Sequence, residues 1–372
     1  MNDTAWMKEA MSEAARGGWG VHPNPMVGAI IVRDGVELGR GYHHGAGQAH
    51  AEIEALRQAA ERGHDVRGAT IYVTLEPCNH YGRTPPCTEA LIASGISRCV
   101  VGSADWDSRV RGAGIRRLEA AGISCTVGVC ERELMELNAA FFTRTRDERP
   151  FVTAKWAMTC DGHTATRTGS SQWITGPEAR RDVHQERARH EGILAGTQTI
   201  LADDPQLNVR LEGEWRQPVR IILDRKLRIP LDARVFDTTA QKTILFTSRR
   251  DADMSPWAAR GVQVEFVSEV EQGLDLREVL HILAVRYLMT TLYCEGGARL
   301  HGSLFDLGLI DQVHVYMAPK LTGGADAAGC IGGLGVGAMA DAPAFEFDSV
   351  VRLGKDVRLS GRIHGQKAFM TP

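Results

Sequence analysis

The chain has 372 residues, of which 43% are hydrophobic and 24% charged, with 40 glycines and a formal charge of -3. That length favours two domains over a single core. The near-neutral charge excludes the broad basic surface of a polyanion binder, leaving room only for local patches. The opening stretch, MNDTAWMKEAMSEAARGGWG, carries acids where a signal peptide would have a basic start and an apolar run. No apolar stretch reaches membrane-spanning length. The expected location is the cytoplasm, where thiols stay reduced and neighbouring cysteines bind metal or catalyse more often than they cross-link.

Taken in chain order, Trp6, Met7, Ala10, Met11 and Ala14 recur at helical spacing and predict an amphipathic helix. MVGAIIVRDGVELGRGYHH (26–44) reads as two strands meeting at Asp34-Gly35, and HAEIEALRQAAERG (50–63) as a helix ending at Gly63. A buried-type strand ATIYVTLEP (69–77), a short helix TEALIASG (88–95) and a strand RCVVGSAD (98–105) follow. A helix through IRRLEAAG and a strand at SCTVGV continue the alternation, which predicts an α/β layer sandwich. ELNAAFFTRTRDERP (136–150) breaks the rhythm with charge, so the domain boundary is expected near residue 147, giving domains 1–147 and 148–372. Beyond it, strands are predicted at 151–158, 192–196, 219–224, 243–247, 262–267, 290–295 and 312–317. Helices at 177–190, 197–202, 276–288 and 298–307 complete a second, doubly wound α/β domain. Thr175 and Glu178 have capping-box spacing at the start of the first of these helices, with Pro177 in its first turn.

Of eight cysteines, Cys99, Cys125 and Cys294 sit in apolar runs and read as small buried hydrophobes. Cys78 and Cys87 instead share the turn-rich loop EPCNHYGRTPPC. A strand would deliver Cys78 at its C-terminal end, and Cys87 would open the next helix, whose dipole favours a thiolate. Upstream, His50 and Glu52 stand at the start of another helix. Three ligands, His50, Cys78 and Cys87, leave the fourth tetrahedral position of a zinc ion open, as in a catalytic site; a closed clip with His80 or another nearby histidine is the structural alternative. Glu52 could then move protons between a water and a leaving amine. H-x-E followed by P-C-x-x-C marks the zinc-dependent nucleobase deaminases, but here eight residues separate the cysteines, a loop whose glycine and prolines still permit closure. Asn24, between two prolines, is either a hydrogen-bonding partner for a pyrimidine edge or a turn residue.

In the second domain CEGGARLHGSL (294–304) and the turn after Gly196 are strand-to-helix junctions able to hold phosphates on backbone N–H groups, or simply tight turns. Trp173 could stack on a ring or fill the core. The motifs together are more specific. The cysteine loop, HPNPMVGAIIV and GRGYHHGAGQAHAE in the first half, with AKWAMTCDGHTA, SSQWITG, LADDPQLNVR and CEGGARLHGSL in the second, resemble the bifunctional riboflavin-biosynthesis deaminase/reductase family over nearly the whole chain.

That resemblance implies a cytidine-deaminase-like three-layer α/β/α domain followed by a dihydrofolate-reductase-like α/β domain, using Zn2+ and NADPH. It implies zinc-dependent deamination of a phosphorylated ribosylaminopyrimidine with Glu52 as the catalytic residue, then NADPH-dependent reduction of the ribosyl side chain to ribityl. Cofactor contacts fall on Ala157, Trp173, Thr199, Asp203, Gly296, Gly297, Ala298, Arg299 and Leu300. Substrate contacts fall on Ser171, Arg187, Leu207, Arg210 and Glu295, joined by Asn24 in the first domain; Lys155 is a further polar group nearby. Position 163, usually basic in the family, is His163 here, and Arg249 and Arg250 are candidates for the cofactor 2′-phosphate. The expected partners are phosphorylated pyrimidines, with no nucleic acid and no membrane, in a dimeric or tetrameric homo-oligomer. Two other readings are a nucleic-acid or nucleoside deaminase with a C-terminal binding domain, and a zinc-stabilised binding module without catalysis.

Overall fold

Ala29, Ile30, Ile31 and Val32 are all buried, so the strand that carries them must lie in a sheet covered on both faces. The computed structural model describes residues 1–81, 85–105 and 111–363, which leaves Gly82, Arg83 and Thr84 of the cysteine loop outside the described residues. The chain divides into two compact units, Met1–Glu148 and Arg149–Pro372.

The first unit runs α1 (Asp3–Ala15), β1 (Gly28–Arg33), β2 (Val36–Tyr42), α2 (Ala51–Glu61), β3 (Thr70–Leu75), α3 (Cys87–Ser94), β4 (Arg98–Ser103), α4 (Ala113–Ala120), β5 (Ser124–Val127), α5 (Glu131–Leu137) and α6 (Ala139–Asp147). Its sheet has the order β2-β1-β3-β4-β5, antiparallel as far as β3 and parallel from β3 to β5. Strand alternation sends Ile30, Val32, Tyr72 and Val100 onto Trp6, Met7 and Ala10 of α1 and Leu134 of α5. Ala29, Ile31, Val73 and Val101 face the opposite way, onto Ala55, Leu91 and Leu118 of α2, α3 and α4. Three layers result. The charged segment expected to break the pattern is instead helical through much of α5 and α6, because Glu and Arg are good helix formers and Leu134 and Phe142 supply a buried side.

The second unit contains β6 (Phe151–Thr159), α7 (Pro177–Arg189), β7 (Gly192–Gly196), α8 (Thr197–Asp203), β8 (Val219–Leu223), β9 (Thr243–Thr247), α9 (Ser255–Ala258), β10 (Gln263–Phe266), a small ribbon β11 (Glu269–Val270) and β12 (Gly273–Leu274), α10 (Leu276–Val285), β13 (Thr291–Cys294), α11 (Ala298–Asp306), β14 (Gln312–Ala318), β15 (Phe345–Leu353) and β16 (Asp356–Ile363). The nine-stranded sheet has the order β10-β9-β8-β7-β13-β6-β14-β16-β15. It is parallel from β10 to β14, and the terminal hairpin is antiparallel. Val152, Leu194, Ile221, Phe246 and Leu292 face Val279, Leu283 and Leu304 of α10 and α11. Ile193, Ile222 and Leu245 pack with Ile200 of α8 and Trp257 of α9 on the other side, where Tyr293 and Tyr316 meet Ala179 and Val183 of α7.

Two local expectations are corrected. The cap of α7 is Gly176 rather than Thr175, and its amide donates to the Asp356 carboxylate at 2.6 Å. The helix predicted over 276–288 ends at Val285, and Leu288 turns into the left-handed region at φ 54°. Close approach governs Gly28: a Cβ there would lie 2.1 Å from Ala10 O and 2.5 Å from Ala14 N, so α1 rests directly on β1. Gly28→Val should therefore destabilise the first unit by about 1–3 kcal/mol through overpacking, read as a lower urea midpoint for that unit with the second unit's midpoint unchanged.

Candidate functional sites

β3 and β4 are parallel and end at the same edge of the first sheet, and Cys78 follows β3 three residues after its last strand residue. That exit is held by Glu76, buried, whose carboxylate accepts from the amides of Asp105 (3.1 Å), Gly112 (2.9 Å) and Gly114 (2.8 Å). His50 is the N-cap position of α2 and Cys87 the first residue of α3. The three side chains converge: His50 Nδ1 lies 3.2 Å from Cys87 Sγ and 3.5 Å from Cys78 Sγ, and all three ligand atoms lie within 4.8 Å of one another. One imidazole nitrogen and two thiols form a donor set suited to zinc. Among the described residues neither His80 nor a further histidine joins this group.

Cys78 is drawn down to about 4 by hydrogen bonding from Cys87 and by His50, while Cys87 is pushed far up by its neighbour Cys78 and by burial. The pair thus gives up its first proton readily, which suits a metal ligand. Glu52 is 3% exposed and burial pushes its carboxyl up to about 7, with Cys87 within hydrogen-bonding reach. His43 Nδ1 donates to the Ala49 carbonyl at 3.1 Å, so its Nε2 accepts from the Asn24 amide at 3.0 Å. Burial holds His43 below its ordinary value, and so neutral. This contact fixes Asn24 Nδ2 and leaves its carbonyl oxygen for another partner. His44 lies against Tyr42 with ring centroids 4.1 Å apart, and His80 is exposed.

In the second unit β13 ends at Cys294 and passes through Glu295, Gly296 and Gly297 into α11. Glu295 lies beside Lys155 of the adjacent parallel strand β6, with Lys155 Nζ 3.6 Å from Oε2. Arg187 of α7 clasps the same carboxylate with two nitrogens, at 2.5 Å and 3.0 Å, and donates a third bond to the Asn208 carbonyl at 2.9 Å. Burial alone would raise the Glu295 pKa, but Arg187 and Lys155 prevail and hold it at about 2. Lys155 is itself lowered by burial, with Glu295 opposing. His184 is pushed down to about 4 by burial and Arg187, and its Nδ1 lies 3.1 Å from the Asn208 carbonyl oxygen and 3.2 Å from the Arg210 amide.

These groups line a cavity of about 960 Å³, which gathers Ala157, Ser171, Trp173, Thr199, Asp203 and Leu207 with Arg187, Arg210, Glu295, Gly296, Gly297 and Ala298. Arg299 and Leu300 line a neighbouring cavity of about 800 Å³ that shares Thr199, Gly297 and Ala298 with the first. Gly297 faces open space, its nearest neighbour to an added Cβ being Thr199 Oγ1 at 3.9 Å, so its bare backbone can approach a ligand. Two connected cavities joined at a glycine turn fit an elongated dinucleotide. Trp173 is 63% exposed, with Arg180 4.6 Å above its ring. His163 pairs with Asp161 at 3.3 Å and lines neither cavity. Arg249 and Arg250 also line neither: Arg249 pairs with Asp251 and Arg250 lies over Phe266. The arginines of α7 read from sequence as a solvated face, yet Arg180 lines the cavity, as does His184, which carried no signal beyond its place on that helix.

Comparison with known proteins places both units. Residues 150–359 match the family described as the RibD C-terminal domain, and residues 1–103 match the cytidine and deoxycytidylate deaminase zinc-binding region. The riboflavin biosynthesis protein RibD of Aquifex aeolicus is 43% identical over 355 residues, covering 95% of this chain and 97% of the relative. That of Escherichia coli K12 is 40% identical, covering 96% and 99%. Among solved structures, Acinetobacter baumannii RibD superposes with a TM-score of 0.85 at 37% identity, covering 97% of this chain and 98% of the other. The Thermotoga maritima diaminohydroxyphosphoribosylaminopyrimidine deaminase/5-amino-6-(5-phosphoribosylamino)uracil reductase has a TM-score of 0.84 at 35% identity, with the same coverage.

The Glu295 carboxylate gives a pH prediction. Its folded pKa of about 2 lies below the ordinary 4.5, so the stability it contributes is present above pH 4.5 and is lost as pH falls through 2. That contribution is worth about 3 kcal/mol. Glu295→Gln should cost the second unit about 3–5 kcal/mol near neutral pH, by leaving two cations unpaired. It should also flatten the loss of stability at acid pH, as measured by urea unfolding across a pH series.

Proposed function

The chain belongs to the RibD family of bifunctional riboflavin-biosynthesis enzymes, and on that premise we propose that its two units divide deamination and reduction between residues 1–147 and 148–372. The substrates are phosphorylated ribosylaminopyrimidines. The observation that carries the reading is the convergence of His50, Cys78 and Cys87 beside the buried Glu52.

His50, Cys78 and Cys87 would hold a zinc ion, which when bound supplies an acidified water at neutral pH. Glu52 takes a proton from the attacking water and returns one to the amine, which leaves as ammonia while the ring carbon keeps the oxygen. Burial raises the Glu52 carboxyl above its ordinary range, which suits it to hold a proton between the two transfers. Asn24, its amide fixed on His43, presents its carbonyl oxygen to an N–H of the pyrimidine edge.

In the second unit NADPH, when bound, supplies the hydride that converts the ribosyl side chain to ribityl. Ala157, Trp173, Thr199, Asp203 and the turn Gly296 to Leu300 hold that cofactor, and Ser171, Leu207 and Glu295 position the substrate. Arg187 serves mainly to orient Glu295, because its guanidinium is already engaged. Arg210, exposed and bonded through one nitrogen to Asn208, is the better partner for the substrate phosphate. Lys155 adds a buried ammonium beside Glu295, where it can donate to an oxygen of the sugar chain. We place the enzyme in the cytoplasm as a homo-oligomer; its described cysteines are all free thiols.

Incubation with the diaminopyrimidine phosphate should exchange an amine for oxygen without NADPH and add two hydrogens once NADPH is present, as followed by mass spectrometry. Reduction without prior exchange would overturn the order. Glu52→Gln should lower deamination by about 10²–10⁴-fold while zinc content by metal analysis and reduction of pre-deaminated substrate stay unchanged. A zinc chelator should abolish exchange and leave reduction intact.

A further inference from the structure

The reacting groups Lys155, Arg187 and Glu295 line only the larger cavity of the second unit. A dinucleotide whose nicotinamide sits beside them must pass the shared wall of Thr199, Gly297 and Ala298, so its adenosine end enters the smaller cavity. The charges lining that cavity decide which dinucleotide it accepts. Most are already committed. Asp224 accepts from Thr197 Oγ1 at 3.0 Å and from the Ile229 amide at 2.8 Å, and Asp275 caps α10. Arg225 pairs with Glu269 at 2.8 Å, and Arg277 donates to the Leu307 carbonyl at 3.1 Å.

Lys226, Arg228 and Arg299 remain. Arg299 follows Gly297 and Ala298 of the shared wall and is already counted among the cofactor contacts, which leaves Lys226 and Arg228. Both are exposed on the loop after β8, both line the smaller cavity, and among the described residues neither has a side-chain partner. Glu271 is the one lining acid not otherwise engaged among the described residues, so the cavity mouth carries surplus positive charge. We infer that Lys226 and Arg228 bind the 2′-phosphate of the cofactor and set the preference for NADPH over NADH. A phosphate monoester carries close to two negative charges and three acceptor oxygens, which a lysine point charge and an arginine fork can share. NADH, with a hydroxyl at that position, gains nothing from either cation. This assignment rests on reading the second unit as a dinucleotide-dependent reductase.

The test is calorimetric titration of the full-length enzyme with NADPH and with NADH, independent of turnover. The double variant Lys226→Ala/Arg228→Ala should weaken NADPH binding about tenfold or more and leave NADH affinity within about twofold, collapsing the preference. The salt dependence of NADPH affinity should fall with it. Arg249→Ala/Arg250→Ala, in the next loop of the sheet, should change neither. An unchanged NADPH affinity in the first variant, or equal losses for both nucleotides, would overturn the assignment and leave the reductase reading standing. If the unaltered enzyme bound neither nucleotide, the reductase reading itself would fall. The thermal transition of the double variant shows that the protein tested is folded.

Discussion

In a parallel sheet every strand that feeds a helix ends on the same edge, and both units of this chain place their reactive side chains under that constraint. Cys78 follows β3, and the cluster it joins draws His50 and Cys87 from the first positions of two helices. Glu295 follows β13, and its neighbour Lys155 comes from the parallel strand alongside. Polar side chains can gather there because the apolar layers lie behind them, where Ile31, Val73 and Leu91 in one unit and Leu194, Leu292 and Leu304 in the other exclude water. The two sites use unrelated chemistry, yet backbone geometry puts each at the same place in its sheet.

The two buried carboxylates show how the surroundings of a group decide its use. Glu52 and Glu295 both lose most of their hydration. Glu295 meets two cations, stays ionised far into acid and serves as a fixed negative post. Glu52 meets its own backbone amide, sulfur and imidazole in place of a guanidinium, and burial prevails and raises it. A divalent cation among His50, Cys78 and Cys87 would act on Glu52 as Arg187 acts on Glu295, lowering it. Glu76 takes a third route, with backbone amides in place of cations.

Much of this was legible in the residues because the signals are local. A strand buried on both faces, a helix stopped by glycine and a cysteine at the mouth of a loop each depend on a few neighbours, and β1, α2 and α3 lie close to where their sequences put them. The cluster of His50, Cys78 and Cys87 was legible because zinc requires particular atoms, and so particular residue types. What escaped depends on partners distant in the chain. The hairpin of β15 and β16 has mostly exposed side chains on its outer strand, so no apolar alternation marked it. The cap of α7 went to Gly176 because Asp356, 180 residues away, takes its amide. The contacts of Arg249 with Asp251 and of Arg250 with Phe266 likewise leave no mark in a local pattern.

The clasp between Arg187 and Glu295 joins positions 108 residues apart, on a helix and a turn that share no local sequence. Each half is a liability without the other: a buried carboxylate facing a lone lysine, or a buried guanidinium with only a carbonyl to bond. A chimera that took α7 from one relative and the β13 turn from another would keep its fold only if both donors used the same polarity of pair. The clasp therefore sets a boundary for recombination, and the second unit must be exchanged between relatives as one block from α7 through α11.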